Sequence, residues 1–469
     1  YALIFGNKPQ NSSETIIYHQ RTAKRTISSP PDIDREGMNM SEKQGLKIAI
    51  IGSGSTYTPE LIDGFIRLRE TLPVRQFMFM DIDDRKRTIV GELCIRMLRE
   101  EKMDSEAILT ADLDEAVRDA DYVITQIRVG KLPARILDET IPPKYGLLGQ
   151  ETTGIGGFMK AQRTIPVMCH IADRVRELAP EAFIINFTNP SGIITEAVMK
   201  HGFKRIIGLC NVPINMTSSV REQIPDGELT MDYVGLNHLS WIYHIEQDGR
   251  DITEEAIRQG VKSERMNNIP PSDLDREITA VAGAVYSPYL EYFYDREHKK
   301  KHNLDSGKCR GEECMEIEEQ LLALYSEKTL CRKPELLNKR GGHRYSEVAV
   351  NLVHDLYNNT GNVNIVNVRN GDTLDFLEPD DVIEVACAID RDGAHPLPLR
   401  KIDNTHIKTM METVKEYERQ TVNAGLTGDR TAALRAMVVH PLMGDYTTSQ
   451  KCLDEMLSAN QAYLPQYKF

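Results

Sequence analysis

The sequence of 469 residues has no run of about 18 apolar residues, so it predicts no membrane-spanning helix. Basic residues are outnumbered: 57 Lys and Arg against 70 Asp and Glu give a net charge of −13, which argues against nucleic-acid binding. The eight cysteines show no metal-finger or disulfide spacing, which favours a reducing cytoplasm. What is present is the composition of a globular protein, 41% hydrophobic and 27% charged, long enough for two or three domains.

The first 45 residues differ from the rest of the chain. From residue 7 onward they are polar, contain Ser29-Pro30-Pro31 and lack lasting hydrophobic periodicity. They also lack the apolar core of a signal peptide. We expect residues 1–45 to be a disordered leader, or sequence upstream of a start at Met40.

Residues 46–57 form an apolar strand that runs into a glycine turn, and Thr58-Pro59 then opens a helix. Glycines allow a pyrophosphate to approach the backbone, and a helix N-terminus offers N–H groups and a positive dipole end. Tyr57 stands at the third glycine position of the usual fingerprint, so the turn alone is a moderate signal. Asp81 ends the next apolar run, where it can accept the ribose hydroxyls of NAD and repel the 2′-phosphate of NADP. The predicted NAD site comprises Gly52, Gly54, Ser55, Thr56 and Asp81.

Strand and helix patterns alternate from residue 46 to about 209, which predicts a parallel sheet covered on both faces. The predicted strands are 47–51, 76–81, 121–127, 183–187 and 206–209. The helices between and after them are 58–70, 84–101, 112–119, 161–178 and 190–200. Beyond residue 210, antiparallel strands near 241–247 and 381–390 mix with helices near 310–328, 345–357 and 404–424.

This pattern predicts an α/β fold with two domains. Residues 46–209 form a Rossmann-like NAD-binding domain with a mostly parallel sheet. Residues 210–469 form an α+β domain for catalysis and oligomerisation, the arrangement of lactate and malate dehydrogenases. A loop with four glycines, residues 149–157, lies between strands and is expected to border the site.

Cys210 and His238 are candidate metal ligands. Cys210 follows an apolar strand at its carboxyl end, where ligands bind in open α/β sheets. A lone cysteine is more often a small buried hydrophobe, and a lone histidine before an apolar segment is more often structural. Thiolate and imidazole together suit a divalent metal and leave positions open for substrate; ligand softness alone favours zinc.

Polar side chains elsewhere could bind a substrate. Arg128 and Asn189 each follow a predicted strand, and such residues can fix sugar hydroxyls or a phosphate. Arg310 opens a predicted helix. A tyrosine can act as a base only where a cation lowers its pKa from about 10. The candidates lie in one cluster: Tyr286, Tyr289, Tyr292 and Tyr294.

Seven short motifs, taken in order, resemble those of the family 4 glycoside hydrolases, and among these the 6-phospho-β-glucosidases. The resemblance runs from about residue 46 to near the C-terminus and leaves out the leader. The motifs are Ile-Gly-Ser-Gly-Ser-Thr (51–56), Ile-Arg-Val-Gly (127–130), Gly-Gln-Glu-Thr-x-Gly-x-Gly-Gly (149–157), Asn-Phe-Thr-Asn-Pro (186–190), Gly-Leu-Cys-Asn-Val-Pro (208–213), Gly-Leu-Asn-His (235–238) and Lys-Arg-Gly-Gly (339–342).

The resemblance implies a glycosidase that needs NAD+ and a divalent metal, usually Mn2+, in place of paired carboxylates. In such enzymes NAD+ takes a hydride from C3 of the sugar, and the metal polarises the C3 oxygen. A tyrosine then removes the acidified C2 proton and the aglycone leaves C1. Water adds to the enone, and the hydride returns, so net redox is zero.

The family's functional residues match positions in this chain. Cys210 and His238 match the metal ligands, and Tyr289 matches the base, with Tyr286 as an alternative. Arg128 and Asn189 match substrate contacts, and Arg310 matches the phosphate contact. Asn211 stands where α-specific members carry an Asp that donates a proton, which favours β-glycosides and leaves the general acid unassigned.

We therefore expect a cytoplasmic 6-phospho-β-glucosidase that acts on a phosphorylated disaccharide, such as cellobiose 6-phosphate, or on an aryl glucoside. Family likeness suggests a homodimer or homotetramer. Three alternatives stay open: a 6-phospho-α-glucosidase of the same family, a 2-hydroxy-acid dehydrogenase that uses NAD, and an NAD-binding regulator without activity.

Overall fold

The structure is a computed structural model that describes residues 45–266, 269, 272–340 and 344–469. The predicted leader therefore lies outside the described residues except for Gly45, and so do Gly341 and Gly342 of the last motif. The part from residue 45 onward belongs to one compact unit. No helix in the described ranges is both long and apolar enough to cross a membrane.

Strands and helices alternate in the first half of the described chain and segregate in the second. The strands are β1 (Leu46–Ile51), β2 (Val74–Met80), β3 (Glu106–Thr110), β4 (Tyr122–Thr125), β5 (Phe183–Asn186), β6 (Ile206–Gly208), β7 (Leu229–Leu236), β8 (Leu239–Gln247), β9 (Arg250–Asp251), β10 (Val285–Tyr286), β11 (Val363–Arg369), β12 (Val382–Asp390) and β13 (Gly393–Pro396). The helices are α1 (Thr58–Arg67), α2 (Asp84–Glu100), α3 (Leu113–Val117), α4 (Lys131–Thr140), α5 (Gly154–Leu178), α6 (Ser191–Lys200), α7 (Val212–Gln223), α8 (Thr253–Gln259), α9 (Asp275–Ala282), α10 (Glu291–Tyr294), α11 (Arg296–Asp305), α12 (Arg310–Tyr325), α13 (Tyr345–Asn358), α14 (Thr405–Thr427), α15 (Arg430–Val439) and α16 (Tyr446–Ala459).

The strands join into one sheet. Six parallel strands run in the order β3-β2-β1-β4-β5-β6, which is the doubly wound order of a dinucleotide-binding fold and confirms the predicted fold class. The sheet continues through β11, which pairs antiparallel with β6, into β12, β7, β8 and β10. Since the sheet is continuous across residue 209, the division into domains 46–209 and 210–469 stays a prediction.

Burial explains why the central strands are apolar. All six residues of β1 are buried, because helices cover both faces of a parallel sheet. The sheet's switch point lies between β1 and β4, and the chain leaves β1 through Gly52. Gly52 has φ +88°, and a Cβ there would lie 3.0 Å from the backbone of Gln126. Only glycine can adopt this conformation so close to the neighbouring backbone, at the carboxyl edge of the sheet.

The structure differs from the sequence-based prediction in several elements. Strand β3 was not predicted, because it is a short, half-exposed edge strand with no clear apolar run. Strands β7 and β11 were missed as well. Helix α5 begins at Gly154 rather than 161, so the last residues of the glycine-rich segment form its first turn. A Cβ at Gly156 would lie 2.1 Å from the carbonyl oxygen of Gln150, so this glycine serves close packing of the helix on the loop.

Candidate active site

A cavity of about 780 Å³ opens at the carboxyl ends of the parallel strands. Its wall includes six of the predicted site residues: Gly52, Gly54, Ser55, Asp81, Arg128 and Asn189. Thr56 does not line it; this residue is buried behind the turn, where its carbonyl accepts a hydrogen bond from Tyr325 at 2.8 Å. The structure therefore gathers four of the five predicted NAD residues and two predicted substrate contacts in one place.

Asp81 braces the glycine turn from the end of β2. Its Oδ2 accepts the backbone N–H of Gly54 at 2.8 Å, and its Oδ1 accepts that of Asp83 at 2.8 Å. The N–H groups of Gly52 and Ser53 both donate to the carbonyl of Met80. Three amides of the turn are thus engaged within the protein, and Asp81 presents its remaining acceptor capacity to the cavity.

His238 and Tyr289 are in contact, and Cys210 belongs to the same buried cluster as Tyr289. Cys210 lies just after β6, and His238 is the second residue of the two-residue turn between β7 and β8. The His238 backbone has φ +69°, an uncommon left-handed conformation for a residue other than glycine. Its imidazole stacks on the phenol ring of Tyr289 with ring centroids 3.8 Å apart, and Tyr289 and Cys210 share one buried cluster.

The two candidate ligands are both buried. Burial lowers the pKa of His238 to about 3, with a smaller contribution from Lys160, so the ring is neutral at physiological pH. Burial also raises the pKa of the Cys210 thiol, and the carboxylate of Glu384 adds to the effect. The Nδ1 atom of His238 is buried without a hydrogen-bond partner. A neutral imidazole with an unpaired nitrogen is the form that binds metals.

A hydrogen-bond network lies behind these ligands, and sequence reasoning missed its centre. Glu384 on β12 is fully buried and accepts hydrogen bonds from Tyr233 at 2.6 Å, Asn367 at 3.0 Å and Asn237 at 3.3 Å. Asn237 precedes His238 and accepts the backbone N–H of Ser191 at 3.0 Å. Burial raises the pKa of Glu384 to about 7, although its three donors oppose the shift.

A buried charged cluster borders the cavity, and the glycine-rich segment contributes its centre. Glu151 accepts hydrogen bonds from Arg128 Nη1 at 2.5 Å and Lys160 Nζ at 2.9 Å, and forms an ion pair with Arg135 Nη1 at 3.0 Å. These cations hold the pKa of Glu151 well below its usual range despite its burial. Glu151, Arg135 and Lys160 were not predicted individually, although the prediction that segment 149–157 borders a site covers Glu151.

Arg310 lies in a second cavity, of about 610 Å³, on the other side of this cluster. Arg135, Glu151 and Tyr292 line that cavity as well. The guanidinium of Arg310 donates to Glu313 at 2.8 Å and to the backbone carbonyls of Lys339 at 3.1 Å and Arg340 at 3.3 Å. Arg310 is thus separated from Arg128 and Asn189 by the Glu151 cluster.

Several of these residues have polar atoms that are buried without partners. Besides His238, they include Thr56 Oγ1, Asn189 Oδ1 and Arg310 Nε. Unsatisfied buried polar groups are rare in proteins and are frequent where a ligand binds. Within the described ranges, no group of three or more His, Cys, Asp and Glu side chains could hold a metal. The pair Cys210 and His238 would be a site with two protein ligands.

Comparison with known proteins identifies the family. The model of family 4 glycosyl hydrolases matches residues 47–225, and that of the family 4 glycosyl hydrolase C-terminal domain matches residues 233–443. The chain belongs to family 4 of the glycosyl hydrolases. A 6-phospho-beta-glucosidase of Thermotoga maritima is 39% identical over 423 residues, 89% of this chain and 99% of that protein. A probable 6-phospho-beta-glucosidase of Bacillus subtilis is 37% identical over 435 residues, 90% of this chain and 98% of that protein.

Solved structures of the family have the same architecture. The Thermotoga maritima 6-phospho-beta glucosidase with manganese, NAD+ and glucose-6-phosphate has a TM-score of 0.80 and 36% identity. The match covers 89% of this chain and 99% of that one. Membership of family 4 confirms the resemblance drawn from the seven motifs.

Proposed function

We propose that this family 4 hydrolase cleaves 6-phospho-β-glucosides such as cellobiose 6-phosphate, releasing glucose 6-phosphate, with NAD+ and Mn2+ as cofactors. The observation that carries the proposal is the stacking of Tyr289 on His238, in a chain whose larger cavity is lined by a dinucleotide-type glycine turn. A base, two metal ligands and a turn suited to a pyrophosphate are what a C3 oxidation followed by C2 deprotonation requires.

The residues present fit both cofactors. The turn at Gly52, Gly54 and Ser55 and the carboxylate of Asp81 would hold NAD+ in the larger cavity. Among the described residues, His238 Nδ1 has no hydrogen-bond partner, which supports a role as a metal ligand, and the thiolate of Cys210 would be the second donor. When bound, the two groups supply a reversible hydride acceptor at C3 and a Lewis acid at the C3 oxygen.

Residues of the chain itself remove the C2 proton, orient the sugar and bind the phosphate. Tyr289 removes the C2 proton, and its packing against His238 fixes the phenol relative to the metal ligand. Arg128 and Asn189 orient the sugar from the cavity wall. The cations around Glu151 bring positive charge to one region of a protein with net charge −13, where a phosphate can bind. Arg310 lies on the other side of this cluster, in the second cavity, and its role as the phosphate contact rests on the family resemblance.

Asn211 supports the β-glycoside over the α-glycoside. It directly follows Cys210, where a carboxylic acid could protonate a leaving oxygen, but an amide side chain cannot act as a general acid. The proposal also includes a cytoplasmic location and a homodimer or homotetramer, supported by a free buried thiol at the site and by family likeness.

Release of p-nitrophenol from its 6-phosphorylated glucosides tests the function. We expect turnover of the β-anomer that requires NAD+, Mn2+ and reductant together, with no accumulation of NADH. Faster turnover of the α-anomer would favour the α-glucosidase. Stoichiometric NADH would favour a dehydrogenase, and NAD+ binding without any turnover a regulator.

A further inference from the structure

Arg340 is a buried charged residue that lines the larger cavity. It ends a short 3-10 segment, Glu335–Arg340, in the second half of the chain, yet its side chain lines the same cavity as Gly54 and Ser55. The side chain is only 8% exposed, and among the residues that the structure describes its buried Nε and Nη1 atoms have no hydrogen-bond partner. A buried guanidinium with unpaired donors is costly unless a ligand completes it.

The nearby carboxylate does not neutralise Arg340. Its nearest acidic partner is Glu318, with Nη2 to Oε2 at 3.6 Å, which is too long for a good hydrogen bond. Glu318 is also bound directly by Lys86 Nζ. One carboxylate therefore lies beside two cations, and its direct contact is with Lys86 rather than with Arg340.

Contacts place Arg340 and the stem of Lys86 at the glycine turn. Lys86 packs so closely on the turn that a Cβ at Gly54 would lie 2.8 Å from its Cβ. The guanidinium carbon of Arg340 lies 5.5 Å from the ring centroid of Tyr57, the residue that precedes α1. Arg340 thus stands across from the N-terminus of α1, where a dinucleotide's phosphates bind in this fold.

The glycine turn has few free backbone N–H groups to donate to a pyrophosphate. The N–H groups of Gly52, Ser53 and Gly54 are already used by Met80 and Asp81, so fewer amides are left for a pyrophosphate than the fold normally offers. We infer that Arg340 is a ligand of the cofactor's pyrophosphate, contributed by the C-terminal half of the chain. Arg310 donates to the carbonyl of Arg340 and so holds the segment that carries it.

This inference rests on the proposed use of NAD+, and its test separates the two. Calorimetric titration of NAD+ and of ADP-ribose, without metal or substrate, would compare wild type with Arg340→Gln, Arg340→Lys and Lys339→Gln. Lys339 is exposed. Lys339→Gln removes one positive charge from the residue next to Arg340 in the sequence, so it is the matched control. We expect Arg340→Gln to weaken both ligands about 10- to 100-fold, Arg340→Lys to weaken them less, and Lys339→Gln to change neither more than about twofold.

Three results would contradict the inference in different ways. Unchanged NAD+ binding by Arg340→Gln, with wild type binding normally, would overturn it and leave the proposed function standing. Weaker glucose 6-phosphate binding at saturating NAD+, with NAD+ itself unaffected, would reassign Arg340 to the sugar phosphate. Absence of NAD+ binding by wild type would overturn the proposed function first. Thermal unfolding without ligand checks that each variant is folded. If Arg340→Gln does not fold, the comparison of wild type with Arg340→Lys still tests the inference.

Discussion

The imidazole of His238 lies flat on the phenol ring of Tyr289, with ring centroids 3.8 Å apart and planes 6° apart. The stack joins the turn between β7 and β8 to the short 3-10 segment Pro288–Leu290. Two residues 51 positions apart in the sequence (289 − 238) are thereby held as one unit. In the proposed reaction this unit carries both the base and a metal ligand.

Replacing Tyr289 with Phe should remove the base while keeping the stack. We expect kcat to fall about 100- to 10,000-fold, the usual contribution of a general base. NAD+ and Mn2+ affinities should stay unchanged, because the ring and its packing are retained. Exchange of the C2 proton of glucose 6-phosphate with D2O, followed by NMR, would report the lost step directly.

Tyr286→Phe is the control for this experiment, since Tyr286 is the alternative base in the cluster. Its hydroxyl faces Asp275, at 3.5 Å, and its ring packs edge-on against Tyr294. The expected activity is close to wild type. If Tyr286→Phe stops C2 exchange and Tyr289→Phe does not, the base has been assigned to the wrong tyrosine.

The sequence predicted those parts of the site that follow from local pattern. Cys210, Arg128 and Asn189 each lie two or three residues beyond the end of an apolar strand, and parallel strands bring their carboxyl ends to one edge. The glycine turn and Asp81 were predicted on the same grounds. The role of Tyr289 came only from the family resemblance, because nothing local distinguishes it from the tyrosines beside it.

Glu384 could not have been predicted in this way. A single glutamate in strand β12 reads as a solvent-facing position, yet it is fully buried. Its hydrogen-bond donors Tyr233 and Asn237 lie 151 and 147 residues earlier in the chain, and only tertiary pairing of β12 with β7 brings them near. Likewise, local pattern gives no sign that Arg310 faces a separate cavity.

Cys210→Ser tests the metal site. A hydroxyl is a poor substitute for a thiolate, so we expect Mn2+ affinity to fall at least about 10-fold while NAD+ affinity is kept. Electron paramagnetic resonance of free Mn2+ during titration measures this without any turnover. Cys169→Ser is the control, because Cys169 is also a buried free thiol but lies on α5. Equal Mn2+ binding by both variants would remove Cys210 from the site.

Glu384→Gln tests whether the network behind the ligands positions them. An amide has one acceptor oxygen where the carboxylate has two, so Tyr233, Asn237 and Asn367 can no longer all be satisfied. Partners behind metal ligands are typically worth 10- to 100-fold in affinity, and we expect a Mn2+ loss in the lower part of that range.

The matched control is Glu418→Gln, which changes a buried glutamate bound to Lys415 in helix α14. Both variants should be destabilised, and thermal unfolding measures by how much. Only Glu384→Gln should also weaken Mn2+ binding. A Mn2+ titration in which Glu384→Gln matches wild type would show that the network supports the fold alone.

His440 gives a pH dependence of stability whose sign can be worked out. Burial lowers its pKa in the folded protein to about 3, whereas the unfolded chain has the ordinary value near 6.5. As pH falls below 6.5 the unfolded state takes up a proton that the folded state does not, so stability is lost on acidification. At pH 5.5 this one group costs about 1.4 kcal/mol.

His440→Asn should remove that slope. The Nδ1 of His440 accepts the N–H of Leu442 at 3.1 Å, and the Asn Oδ1 can take over this role, although loss of the ring contact with Tyr417 lowers stability at every pH. Urea unfolding at pH 7.5 and 5.5 separates the two effects, because the cavity cost cancels in the difference between pH values. We expect wild type to lose about 1.4 kcal/mol more than His440→Asn over this interval. Equal losses in wild type and His440→Asn would mean that the imidazole of His440 is protonated as readily in the folded protein as in water.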